Sequence, residues 1–271
     1  MSEASSAAPS GALVLETRNE GVAHLVLNRP DKLNALSADL STALQAALQR
    51  VAEDESVRVV VLSGAGRAFC AGGDLGAIGK GRERKETAEL GPILRSGMQA
   101  VLKMRVMPQP VIAAIHGPAA GAGMNLALAA DIRIASEFAS FGQTFSRVGL
   151  FPDYGGTYFL PQLVGPAVAA ELFYTGEMID VQTALRLGIV NRVVPVAELE
   201  MEVGTLARKI AQGPPLAVRA IKKALFGSQA QELARALEDE AQQQMECFYS
   251  EDCSEGIRAF FEKRHPKFSG K

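Results

Sequence analysis

Three short runs of apolar residues, each closed by a turn, constrain this chain most. Residues 57–62 read VRVVVL and stop at Ser63-Gly64-Ala65-Gly66. Residues 111–115 stop at His116-Gly117-Pro118, and residues 132–135 form a third run. Runs of this length and composition predict strands buried in a sheet. Helical patterns separate them. Ser37 is a capping residue, and after it Leu40, Leu44, Ala47, Leu48 and Val51 fall on one face of a helix. Upstream, residues 12–18 and 22–28 are joined by Asn19-Glu20-Gly21, which predicts a hairpin. Strands and helices alternate to about Val194, which implies an α/β core.

The pattern then changes. From Val196 the periodicity is helical throughout, with helices expected at 216–226, 229–249 and 253–263. The simplest division is a Ser/Ala/Pro-rich disordered tail over 1–11, a core over 12–195 and a helical region over 196–271. Residues 76–90 are rich in Lys, Arg and Glu and hold Gly76, Gly79 and Gly81, which predicts a mobile, solvated loop.

Composition removes several classes of function. Lys and Arg number 28 against 30 Asp and Glu, a formal net charge of −2, so there is no basic footprint for nucleic acid. Cys70, Cys247 and Cys253 are odd in number without CxxC spacing, which favours a reduced compartment. His24, His116 and His265 lack metal-ligand spacing, so no metal is expected. The weakly polar stretch 117–130 is too short to span a bilayer, and the first ten residues lack the features of a secretory signal. The expectation is a cytoplasmic protein that binds neither membrane nor nucleic acid.

Glycine clusters mark where chemistry could sit. Ala71-Gly72-Gly73-Asp74 follows the first buried strand, and Gly121-Ala122-Gly123 follows the second and opens a helix. Backbone N–H groups at such junctions can hold an anion or a developing oxyanion. The alternative is that these glycines only permit tight turns and close packing. Gly121-Ala122-Gly123-Met124-Asn125-Leu126 lacks the third glycine of a dinucleotide fingerprint, and Gly76-Ala77-Ile78-Gly79-Lys80 is too short for a P-loop. No GxSxG occurs, so a nucleophile-elbow hydrolase has no serine.

The order of motifs is more specific than any one of them. It runs Asn28-Arg29-Pro30-Asp31-Lys32-Leu33-Asn34-Ala35-Leu36, then Ala68-Phe69-Cys70-Ala71-Gly72-Gly73-Asp74-Leu75, then His116-Gly117-Pro118-Ala119-Ala120-Gly121-Ala122-Gly123. Ala130-Asp131-Ile132-Arg133-Ile134-Ala135, Phe141-Gly142-Gln143 and Val148-Gly149-Leu150-Phe151-Pro152-Asp153-Tyr154-Gly155-Gly156-Thr157 follow. Together they resemble the crotonase (enoyl-CoA hydratase/isomerase) superfamily from about residue 12 to 268. The resemblance implies an α/β fold with a ββα spiral core and a C-terminal helical region that packs between subunits, as a homotrimer or dimer of trimers. It implies an acyl-CoA thioester substrate, with coenzyme A arriving as part of it and no other cofactor.

Residue by residue, the resemblance assigns the oxyanion hole to the N–H groups of Gly73 and Ala122. Two fixed donors there would stabilise the thioester enolate. It places the Ala71 carbonyl on the adenine amino group, Asp31, Lys32 and Leu33 along the CoA groove, and Phe260 and Lys263 at the adenosine phosphate end. Family hydratases carry two glutamates, one three residues past the second oxyanion donor and one four residues after the phenylalanine of the Phe-Gly pair. Here those positions hold Asn125 and Phe145. Asn can orient a water but cannot take its proton, and Phe can do neither. Asp153 matches the aspartate of family isomerases, including those acting on ring-1,2-epoxyphenylacetyl-CoA; on spacing alone it could equally cap the next helix. Family dehalogenases use an aspartate there too, but they need a histidine and a tryptophan, and this chain has no Trp at all. The expected activity is therefore enoyl-CoA isomerisation with Asp153 as acid/base and Asn125 as a polar orienter. Phe145, Phe151 and Tyr154 are expected to shape the acyl pocket. The alternatives are an enoyl-CoA hydratase with an atypical site and a CoA-ester-binding protein with little catalysis.

Overall fold

A computed structural model describes residues 11–83 and 90–271. The expected tail, apart from Gly11, lies outside the described residues, as do 84–89 of the expected loop. Strands β1 (Val14–Asn19) and β2 (Val22–Leu27) form the hairpin, antiparallel, turning at Glu20 and Gly21 with φ of 49° and 78°. Ser37 caps α1 (Ala38–Glu53), its hydroxyl accepting from the Leu40 N–H at 3.3 Å. All five residues of the expected apolar face are buried. Strand β3 (Val59–Gly64) starts two residues later than the apolar run, because the Val57 and Arg58 N–H groups close the turn out of α1 onto Asp54 and Gly21.

Next come α2 (Leu75–Glu83), α3 (Leu90–Val106), β4 (Val111–Ile115), β5 (Ala119–Ala120), α4 (Ala122–Leu128), β6 (Ile132–Ser136) and β7 (Ser140–Gly142). After a short helical turn at Thr144–Val148 follow α5 (Gly156–Thr175), β8 (Met178–Asp180), α6 (Val181–Arg186) and β9 (Arg192–Val194). Helix α5 breaks at Gly165, where φ is 78°, just before Pro166. The main sheet has the order β1-β2-β3-β4-β6-β9, parallel after the first pair. A smaller sheet has the order β5-β7-β8.

The remaining chain is helical: α7 (Val196–Ala211), α8 (Pro215–Phe226), α9 (Ala230–Tyr249) and α10 (Glu251–Glu262). These helices share the core. Leu199, Val203, Ala207 and Ala211 of α7 cover one sheet face, on Val22, Val59, Val61, Ile112 and Ile134. Leu233, Leu237 and Phe248 of α9 enter the cluster on the other face. No helix among the described residues is long and apolar enough to cross a membrane.

The loop expected at 76–90 is corrected over its first half, where α2 forms. Asp74 starts that helix by accepting from the Ala77 N–H, and Ile78 buries itself in the core. Gly79 lets Ile257 of α10 come close, since a Cβ there would lie 3.2 Å from the Ile257 Cγ2. Three glycines lower the intrinsic helix propensity of this segment, but tertiary contact overrides that deficit.

Lys222 ties α8 to the core. Its Nζ donates to the carbonyls of Met104 and Gln109 and to Asp131 Oδ2, at 2.7, 2.8 and 2.8 Å. Burial pushes the lysine pKa down, and Asp131 opposes that shift. Lys222→Met is expected to destabilise the fold by about 3 kcal/mol, because two carbonyls and a carboxylate lose a buried donor. Denaturant unfolding would check this, and a loss under about 0.5 kcal/mol would show the ammonium to be dispensable.

Candidate active site

Two backbone segments cross at the C-terminal ends of β3 and β4. Cys70 pairs with Ala119 in an isolated parallel bridge, and the Ala120 N–H donates to the Cys70 carbonyl at 3.0 Å. The approach is too close for side chains. A Cβ on Gly123 would lie 2.2 Å from the Cys70 carbonyl oxygen, and one on Gly72, where φ is 95°, would lie 2.8 Å from the Ala120 oxygen. Leu36 bonds to Gly72 on one side of Gly73 and to Asp74 on the other. Those bonds face Leu36, so the Gly73 N–H faces the opposite way. Ala122 is the first residue of α4, where an N–H has no intrahelical partner. Neither N–H makes a hydrogen bond among the described residues, and both residues line one pocket of about 490 Å³.

Asp153 lines the same pocket and is only 6% exposed. Its Oδ2 accepts from Gln244 Nε2 at 3.0 Å, while Oδ1 is buried without a partner among the described residues. Burial pushes its pKa up from an ordinary 3.8 to about 7; the Gln244 hydrogen bond opposes the rise and the Glu240 charge adds to it. The capping alternative fails for the side chain: the Asp153 carboxylate accepts from no N–H at the start of α5, to which Asp153 lends only its backbone carbonyl, on the Gly156 N–H at 3.1 Å. Glu240 of α9 is the side-chain cap, accepting from the Gly155 N–H at 2.7 Å and the Thr157 N–H at 2.9 Å. Among the described residues, the other carboxylate lining the pocket, Asp74, is committed to Arg29 at 3.0 Å and to the start of α2.

The other expected residues divide. Lys32, Leu33, Ala71, Phe145 and Phe260 line the pocket with Gly73 and Ala122; Asp31 and Lys263 are exposed outside its lining. Asn125 is a correction. It is fully buried behind the pocket, its amide donating to the Asp153 carbonyl at 2.7 Å and accepting from Gln143 Nε2 at 2.6 Å. It is 0% exposed and outside the pocket lining, so it steadies the Asp153 backbone and does not face a water in the pocket. Tyr154 and Phe151 are also outside the lining. Tyr154 adopts a left-handed φ of 54°, which turns its ring away to lie against Gly97 and bond the Ser41 hydroxyl at 2.9 Å. Phe151 is half-buried, and its N–H donates to Gln244 Oε1.

Sequence reasoning missed Gln244 and Glu240. A signal was present: the buried stripe of α9 is Leu233, Leu237, Glu240, Gln244 and Phe248, at helical spacing. Two polar residues inside an apolar stripe need buried partners, and here the partners are Asp153, Phe151, Gly155 and Thr157.

A pocket with two inward N–H groups and one poised carboxylate fits a thioester that becomes an enolate. The sequence model of enoyl-CoA hydratase/isomerase matches residues 17–271. The chain belongs to the enoyl-CoA hydratase/isomerase family. It is 43% identical over 256 residues to a probable enoyl-CoA hydratase of Rhodobacter capsulatus, covering 93% of this chain and 96% of that one. It is 36% identical to the 1,2-epoxyphenylacetyl-CoA isomerase of Escherichia coli, covering 95% and 98%. Among solved structures, an enoyl-CoA hydratase from Mycobacterium avium subsp. paratuberculosis superposes with a TM-score of 0.87 at 33% identity, over 95% of this chain and 99% of that one. The expected crotonase fold is therefore present, and the protein is an acyl-CoA enzyme of this enoyl-CoA hydratase/isomerase family.

The buried carboxyl predicts a pH signature of stability that does not depend on turnover. The folded-state pKa of Asp153 lies above its unfolded value, so the protonated form is favoured by folding. That contribution is fully present below about pH 4 and is lost as pH rises through about 7. Asp153→Asn should therefore gain in Tm relative to the parent between pH 5 and 8. A Tm difference flat across that range would contradict a buried, high-pKa carboxyl.

Proposed function

We propose that this protein is an enoyl-CoA isomerase of the 1,2-epoxyphenylacetyl-CoA isomerase type, with Asp153 moving the proton. The observation that carries the reading is the chemistry of the pocket wall. Among the described residues, Asp153 is the lining carboxylate with an unpartnered oxygen, and the two hydratase glutamate positions hold a buried asparagine and an apolar phenylalanine. The thioester oxygen would accept from the Gly73 and Ala122 N–H groups. Asp153 would take a proton from the acyl chain as negative charge gathers on that oxygen, then return it to a different carbon. A single carboxyl with a pKa of about 7 can do both, being a competent base before the transfer and a competent acid after it. Nothing is consumed, so no cofactor or metal is required. Syn hydration would need a second group to activate water, and Phe145 cannot supply it.

Lys32, Leu33, the Ala71 carbonyl and Phe260 would hold the CoA portion, with Asp31 and Lys263 reached only where CoA leaves the pocket. Assembly as a homotrimer or dimer of trimers belongs to the same proposal. Its support is the exposed apolar residues Leu216, Ile221 and Leu225 on α8, each more than half exposed. A cytoplasmic location accords with three free cysteines. Hydration remains the second reading, favoured by relatives named as hydratases at 43% and 38% identity. A CoA-ester-binding protein with little catalysis is disfavoured, since binding alone gains nothing from a buried carboxylate with one unpartnered oxygen.

The test is a panel of trans-2-enoyl-, cis-3-enoyl- and epoxyphenylacetyl-CoA, each followed for hydration and for isomerisation. Asp153→Asn should lower isomerisation at least ~10²-fold, with thioester binding little changed. Wild-type hydration of a trans-2-enoyl-CoA at roughly 10 per second or more, retained in Asp153→Asn, would replace this reading with the hydratase one.

A further inference from the structure

We propose that Gln244 is a positioning residue for the acid/base, clamping one oxygen of Asp153 to the backbone at Phe151 so that the proton is carried on the other. The inference rests on the reading of Asp153 as the proton carrier. Gln244 is 1% exposed, projects from α9 and lines the pocket. Its Oε1 accepts from the Phe151 N–H at 2.9 Å, and its Nε2 donates to Asp153 Oδ2 at 3.0 Å.

The direction of this bridge is fixed by chemistry. A backbone N–H can only donate, so the amide oxygen must face Phe151 and the NH₂ must face the carboxyl. Flipping the amide would set two donors against each other at Phe151. One Oδ2 lone pair is therefore always engaged, whether Asp153 is ionised or neutral. Oδ1 has no partner among the described residues. A proton taken from substrate then resides on Oδ1 and leaves from Oδ1, without the carboxyl having to rotate between the two transfers.

Three side chains of similar length each fail at least one of the two demands at 244. A glutamate could accept from Phe151 but would set a second carboxyl against Asp153. A methionine fills a similar volume but abandons both partners. A lysine could donate to the carboxyl but could not accept from Phe151, and would favour the charged form too strongly for the return step.

Among the described residues, few other charged or titratable groups surround Asp153. Glu240, one turn earlier on α9, raises its proton affinity. Tyr154 stays neutral, its pKa raised by burial. Arg147 stands exposed at the rim of the pocket, on the turn Thr144–Val148. Asp74 is paired with Arg29, and α4 contributes the uncharged Asn125. Two residues of one helix thus act on the carboxyl in opposite senses, Gln244 lowering its proton affinity and Glu240 raising it.

The experiment compares Gln244→Met, Gln244→Glu and Glu240→Gln with the parent. The readouts are the pH dependence of kcat for isomerisation and the carboxyl ¹³C titration of Asp153. Both Gln244 variants should move the basic-form limb and the carboxyl titration to higher pH, and Glu240→Gln should move both to lower pH. In Gln244→Met, kcat should fall about 10-fold while KM changes less than about 3-fold, since a mobile carboxyl loses orientation and not thioester binding. If Gln244→Met does not fold, Gln244→Glu, which keeps the size and one acceptor, carries the test. A folded Gln244 variant whose limb and carboxyl titration both stay at the parent's values overturns the proposal. The two readouts also separate its failure from that of the underlying reading. If Asp153 is not the proton carrier, the carboxyl titration still shifts while the kcat profile does not follow it.

Discussion

The site depends on one close approach of backbone to backbone. The segment at Cys70–Gly73 and the segment at Ala119–Gly123 leave adjacent parallel strands, β3 and β4, and are bonded to each other from Cys70 to Ala120. Only glycine fits at 72 and 123, where a Cβ would sit 2.8 Å and 2.2 Å from a carbonyl oxygen. That contact sets two N–H groups, from different parts of the sequence, at one end of the same sheet. Fixed donors need no reorganisation when charge appears, which is why a rigid crossing serves an oxyanion better than a mobile loop.

A second dependence runs from the C-terminal helices into the chemistry. Glu240 caps α5 from outside and Gln244 holds Asp153, so α9 governs both the position and the proton affinity of the carboxyl. Helix α9 in turn is anchored by Leu233, Leu237 and Phe248 in the main core. The helical region after residue 196 is thus part of the active site's support. A loosened α9 would free the Asp153 loop without any change in the pocket's own residues.

Much of this was legible in the sequence where the signal is local. The hairpin turn, the Ser37 cap and the apolar face of α1 are short-range features, and the structure carries each of them. Helix α2 was hidden because its stabilising partners, Asp74 and Ile257 of α10, outweigh an unfavourable composition. In the site, Gly73, Ala122 and Asp153 could be placed by motif order. Tyr154 could not, because a single left-handed residue reverses the side chain and pattern does not report φ. Gln244 lies 91 residues from Asp153, and no periodicity links the two. Only the polar interruption of the α9 stripe hinted that something buried awaited it.

The uncharged residues at 125 and 145 and the burial of Asp153 are physically connected. Each additional carboxylate in a pocket of this size would raise the proton affinity of the others by repulsion. Asp153 already stands at about 7 under burial and the charge of Glu240. A glutamate at 145, in the lining of the same pocket, would push it further up, so that it would be a poorer base near neutrality. Phe145 keeps the pocket wall uncharged, and Asn125 supports the Asp153 backbone through a hydrogen bond that a glutamate, which cannot donate when ionised, would not make. Both residues thus act on Asp153, Asn125 through the aspartate's backbone and Phe145 by keeping the wall apolar. Among the described residues that line the pocket, Asp153 is then the carboxyl left with an unpartnered oxygen and a proton affinity near neutrality.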